Sequence, residues 1–183
     1  LRSLVFTEDA DPEITALFIQ AVEDIKAAGA IIVDPFEIPN FAEHQDADNS
    51  CSRFRYDMHE YLKTLGPDAP IKDVMTVLET GQYSPDVKRR LEDSRHEQLD
   101  IHPKDQNPPC FEFPDHEGRN AFKADVESAM DARDVAAIIY PTWTNPPALL
   151  SRANEDYAGD NSQIVAPATG LPAVTVPMGY SHG

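Results

Sequence analysis

Residues 11–35 read DPEITALFIQAVEDIKAAGAIIVDP. Asp11–Pro12 is a helix start, a capping carboxylate followed by a proline whose missing N–H costs nothing in the first turn. Ile14, Leu17, Phe18, Ala21, Val22, Ile25 and Ala28 then recur at helical spacing on one face. Gly29 suits the left-handed residue that closes a helix. Ala30 to Val33 follows as a short apolar run, closed by Asp34–Pro35. With Leu4–Val5–Phe6 ahead of the helix, the stretch reads as strand–helix–strand. That unit favours parallel strands and a right-handed crossover.

Working outward, the same alternation continues. Helical spacing returns from Asn49 to Leu65, broken by Gly66–Pro67, and again from Ile71 to Glu79, ending at Gly81. Residues 85–99 read as a very polar helix. Residues 100–118 are proline-rich and aperiodic, which predicts a surface loop. Arg119 to Asp131 is helical, and Val135 to Tyr140 (VAAIIY) and Ala173 to Val176 read as buried strands. Continuous apolar runs are how strands covered on both faces look. The fold class expected is α/β, part of an α/β/α sandwich around a mixed, largely parallel sheet, with residues 1–183 forming one partial domain. Both ends of the chain carry apolar stretches, as expected of ends that lie inside a fold.

The formal net charge is -17, from 15 Lys plus Arg against 32 Asp plus Glu. A surface that acidic repels phosphate backbones, so a nucleic-acid partner is not expected. No apolar run reaches the ~20 residues of a membrane span, so no membrane partner is expected either. Two cysteines, Cys51 and Cys110, are too few for a disulfide framework or a zinc cluster and read as free, buried thiols, in keeping with a reducing, cytoplasmic setting.

His96, His102 and His116 lack the four-residue spacing that puts two metal ligands on one helix face, so they read as solvated surface. Asp46-Ala-Asp48-Asn-Ser50 begins like a calcium loop but has Cys51 where the turn needs glycine and Asp57 where it needs glutamate. An acidic loop capping a helix that starts near Asn49 is the better reading. Cys51 and His59 are about 12 Å apart along a helix, too far for a nucleophile–base pair. Arg53 and Arg55 read as ion-pairing residues. Two polar loops beside apolar runs are more suggestive: Tyr140–Pro141–Thr142, continuing through Trp143–Thr144–Asn145, and Gly159–Asp160–Asn161–Ser162. The second reads as a turn, with Asp160 or Asn161 capping a short helix from Ser162 to Ala166 that Pro167 and Gly170 end. It also reads as pocket-lining, because loops on a rigid scaffold carry function. The two readings are compatible.

Several stretches, in order, resemble the C-terminal part of the amidase-signature hydrolases: AAGAIIVDP (27–35), CSRFRYDMHEYL (51–62) with Gly66 and Ala69–Pro70, TGQYSP (80–85), AMD (129–131) with AIIYPT (137–142), and GDNS (159–162) leading to TGLPAVTVPMG (169–179). The resemblance implies a large α/β/α sandwich that hydrolyses carboxamides through a serine acyl-enzyme, using two serines of a Gly/Ser-rich stretch and an upstream lysine. No Gly-Gly-Ser-Ser-Gly-like stretch is present, and none of Lys26, Lys63, Lys72, Lys88, Lys104 or Lys123 lies in the lysine's context. The expectation is therefore a portion of an amidase that supplies sheet core and a pocket wall but no catalytic residue. Tyr140, Pro141, Thr142, Asp160, Asn161 and Ser162 would line the substrate pocket. The implied partners are a small amide and an N-terminal half in the same or another chain, with no metal or organic cofactor. The alternative is an inactive stand-alone fragment that acts as a binding or partner subunit.

Overall fold

A computed structural model of the chain describes residues 1–47, 51–113 and 115–182, with Asn154 described in its backbone alone. The helices are α1 (Pro12–Ala27), α2 (Phe41–Asp46), α3 (Phe54–Thr64), α4 (Met75–Thr80), α5 (Lys88–Asp93), α6 (Glu117–Ala132), α7 (Ala153–Asp156) and α8 (Ala166–Thr169), joined by short 3-10 turns and extended chain. The chain divides into two compact units, Leu1–Ala47 with Glu117–Gly183, and Asp48–His116.

The first unit is organised by α6. Phe122, Val126 and Ala129 recur at helical spacing and meet Leu4, Phe36, Ile38 and Val165 in one buried cluster. Phe122 and Val126 are 2% and 0% exposed, a burial contributing about 1.5–3 kcal/mol for each. The short α2 docks on the same helix. The His44 ring stacks on Phe122 with centroids 4.6 Å apart, and its Nε2 lies 2.8 Å from Asp125 Oδ2. Asn40 donates to the same carboxylate at 3.0 Å. Arg119, on α6, donates to the Ala168 carbonyl at 3.0 Å and to that of Pro167, tying down α8. The start of α1 is as read: Asp11 Oδ1 accepts from the Glu13 and Ile14 amides at 2.8 and 3.1 Å. Its apolar face is only half covered, with Ile19 and Ile25 exposed.

In the second unit, α3 begins at Phe54 rather than near Asn49, and the residue ahead of it gives no side-chain cap. The orphan amides of its first turn are met from a distance in sequence: Glu97 Oε2 accepts from Arg55 N at 2.8 Å and Tyr56 N at 3.2 Å. Arg55 in turn forks onto Asp73, with nitrogen–oxygen distances from 2.6 to 3.1 Å. That guanidinium holds the Asp73 carboxyl below its usual range. Arg53 pairs with Asp57 and Glu112. Cys51 and Cys110 form a disulfide with Cα atoms 5.7 Å apart, closing a separation of 59 residues. The reading of both as free thiols is thus corrected. Their partnership is set by the fold of the intervening chain, which spacing alone does not specify. In a chain-entropy account, closing a loop that long is worth about 4 kcal/mol.

The α/β sandwich is also corrected. Among the described residues no strand forms, and the only bridge is the isolated antiparallel pair Trp143–Asp160. Of the four runs read as strands, Leu4 closes a 3-10 turn and the other three are irregular chain without a ladder. A continuous apolar run reports a preference for burial, whereas a strand also needs a partner, which lies elsewhere in the sequence. Leu4 and Val5 satisfy the first condition, at 2% exposure each. Ile31 and Val174 satisfy neither, at 92% and 87%. Pro35, Pro141, Pro172 and Pro177 further remove ladder donors at the ends of the runs.

Candidate functional site

The two polar loops singled out in the sequence are held together in the first unit. Thr144 N donates to the Gly159 carbonyl at 2.8 Å, and Asn161 N to the Thr142 carbonyl at 3.0 Å, on either side of the Trp143–Asp160 bridge. The result is a two-loop clasp. Gly159 permits it. Its φ is +75°, and a Cβ there would stand 2.7 Å from Asn145 Nδ2 and 3.0 Å from the Asn145 backbone nitrogen. Thr144 is 2% exposed, and its carbonyl accepts from Asp11 N at 2.9 Å, which joins the clasp to the start of α1.

Asn161 is the fastener. It is 5% exposed, and its Nδ2 donates to the Leu4 carbonyl at 2.8 Å and the Pro141 carbonyl at 3.0 Å. One side chain therefore satisfies two buried carbonyls on segments far apart in sequence, where each would otherwise be left without a partner. Pro141 is buried, and Tyr140 is half-buried against the core cluster, where desolvation pushes its phenol pKa up.

Asp160 lies between the buried fastener and solvent. Its Oδ1 accepts from Ser162 N at 2.8 Å and its Oδ2 from the Tyr157 hydroxyl at 2.6 Å. Hydrogen bonds from Ser162 and then Tyr157 hold its carboxyl below the usual range, outweighing desolvation. Trp143 and Tyr157 meet edge to face, with centroids 4.9 Å apart at 86°. A carboxylate has about four acceptor positions, so Asp160 can take a further donor beside this aromatic pair. The arrangement can bind and orient a polar N–H group.

All six residues expected to line a pocket therefore belong to this clasp or adjoin it, though with different surroundings. Pro141 and Asn161 are buried in its base, while Tyr140, Thr142, Asp160 and Ser162 are half-buried. A shallow open groove lies elsewhere, along Phe6, Thr7, Pro12, Thr15 and Ile19, and none of the six lines it. The short helix expected from Ser162 to Ala166 is displaced to α8, with Pro167 in its first turn rather than at its end and Gly170 at its C-cap. Asp160 caps a turn instead. Thr144, Gly159 and Tyr157 were not read as site residues, although the first two belong to the loops that were. The signal for Gly159 is its place before Asp-Asn, where a left-handed backbone is common.

The other candidates find partners of a structural kind. His102 Nδ1 accepts from Lys104 N at 3.3 Å, and its ring meets Tyr56 edge-on. Arg53 and Arg55 are ion-paired as read; the Arg55–Asp73 pair is shielded, at 18% and 25% side-chain exposure, whereas Asp57 and Glu112 beside Arg53 are largely exposed. Among the described residues no group of three His, Cys, Asp or Glu side chains is placed to hold a metal. The calcium-loop reading falls partly on residues 48–50, outside the described residues. No protein-family model, curated protein or solved structure matches the chain.

Proposed function

We propose that this chain is a non-catalytic part of an amidase-type hydrolase. Its two-loop clasp forms one wall of a pocket for a small carboxamide. The serine nucleophile and its lysine base come from another stretch of polypeptide, in the same chain or a second one. The observation that carries this reading is the clasp itself, which joins the two loops of the ordered resemblance and sets a carboxylate with spare acceptor capacity beside two aromatic rings. An amide N–H is a suitable donor to that carboxylate, and the rings flank it with apolar surface. Acyl transfer needs a nucleophile, a base and oxyanion donors held together. In this reading the clasp contributes binding and orientation to that reaction.

A second observation favours a partner-subunit role. In the first unit Ile31, Leu149, Leu150, Val174 and Val176 are 92%, 69%, 97%, 87% and 71% exposed. Large apolar side chains left uncovered in this way are available to an associating partner.

Trp143 is the chain's single tryptophan, so intrinsic fluorescence reports on the clasp directly. Titration with a primary carboxamide should change its emission saturably, and Asp160→Asn should weaken the affinity about tenfold. The chain alone should release no ammonia. Release of ammonia by the isolated chain, or emission indifferent to the amide, would remove the proposal.

A further inference from the structure

The second unit is closed near both of its ends by one covalent bond. Cys51 and Cys110 lie just inside the limits of Asp48–His116, so the disulfide gathers almost the whole unit into one loop. The unit's apolar core is small. Its buried apolar residues, among those described, are Leu62, Val74, Leu91, Pro103 and Cys110, the last being half of the disulfide itself. The first unit has Leu4, Val5, Phe36, Ile38, Phe122, Val126, Ala129 and Val165. A unit of that size with so small a core ordinarily depends on a staple. One non-covalent tie between the same two ends is the Arg53–Glu112 pair, whose glutamate side chain is 58% exposed, and a pair so exposed is worth little.

We propose that the Cys51–Cys110 bond is a reducible latch, so that a dithiol reductant unfolds the unit 48–116 while the unit built on α1 and α6 stays folded. Access favours one direction of attack. Cys51 is exposed and Cys110 is 4% exposed, so an incoming thiolate reaches the bond at Cys51 Sγ. The new S–S bond forms there, the old one breaks, and Cys110 leaves as a thiolate that takes up a proton. The second thiol of the reductant then displaces Cys51. The dithiol ends as a disulfide, and the protein gains two electrons and two protons. With the latch open, the amides of α3 lose the closed loop that brings Glu97 to them. This inference stands apart from the amide-binding role.

The test is peptide-resolved hydrogen exchange of the full chain before and after dithiothreitol, with thiols counted by alkylation. Neither cysteine should alkylate before reduction and both should after it. Amides of α3, α4 and α5 should then exchange on the order of a hundredfold faster or more, those of α1 and α6 at an unchanged rate, and reoxidation should restore the first pattern. A Cys51→Ser/Cys110→Ser variant should reproduce the reduced pattern. Where that variant does not fold, reduction of the folded protein decides. Unchanged protection in 48–116, parallel loss in both units, or thiols that alkylate without reductant would each overturn the latch.

Discussion

At Gly159 the backbone is left-handed and the space for a side chain is already taken by Thr144 and Asn145. A Gly159→Ala variant therefore meets both a conformational and a steric penalty, and should lose about 2 kcal/mol or more in urea unfolding. Asn161→Ala strands the Leu4 and Pro141 carbonyls, and should cost about 2–4 kcal/mol by the same measurement. Asp160 yields a prediction in pH. Its folded pKa is depressed, so the stabilisation it brings is complete above the ordinary carboxylate value of about 3.9 and is lost as pH falls through the lower folded value. Trp143 emission should hold steady from neutral pH down to about 4 and change only below it. The clasp loops were legible in the sequence because Gly, Asp, Asn and Pro have local preferences that survive folding. That Asn161 reaches Leu4 was not, since the contact spans nearly the length of the chain.

Among the elements, helices were far more legible than strands. The α1 cap and the α6 helix follow from patterns within a few turns, and both are present, with α6 starting two residues earlier than read. The polar helix expected over 85–99 is broken into α5 and two 3-10 turns, because Leu91 alone of that stretch gives it an apolar anchor in the unit's core. The loop expected at 100–118 holds, among the described residues, one 3-10 turn, Pro103–Asp105, before α6 begins. The strands failed for a physical reason already visible in their prolines: apolarity was there without a partner to pair with. Capping gives the sharpest test at this scale. Asp11→Ala removes the local cap of α1, and Glu97→Ala removes the remote cap of α3. Each should destabilise its own unit by about 1 kcal/mol, read as faster amide exchange in that helix.

Across the whole molecule, a charge of -17 opposes association while the exposed apolar side chains of the first unit favour it. Salt screens the first and leaves the second, so sedimentation should show the chain self-associating more as salt rises. Replacing Ile31, Val174 and Val176 with serine should reverse that trend. Acid should loosen the second unit too, because the Asp73 carboxyl is held low by Arg55 and its contribution is lost only as pH falls below the ordinary carboxylate range. The central claim, however, is that the clasp receives an amide, and backbone amide NMR of the chain tests it most directly. On titration with a small primary carboxamide, saturable shifts should be confined to residues 140–145 and 157–162. The matching carboxylate, repelled by Asp160, should produce none. Shifts absent from the clasp, or gathered instead along the Phe6–Ile19 groove, would contradict the account.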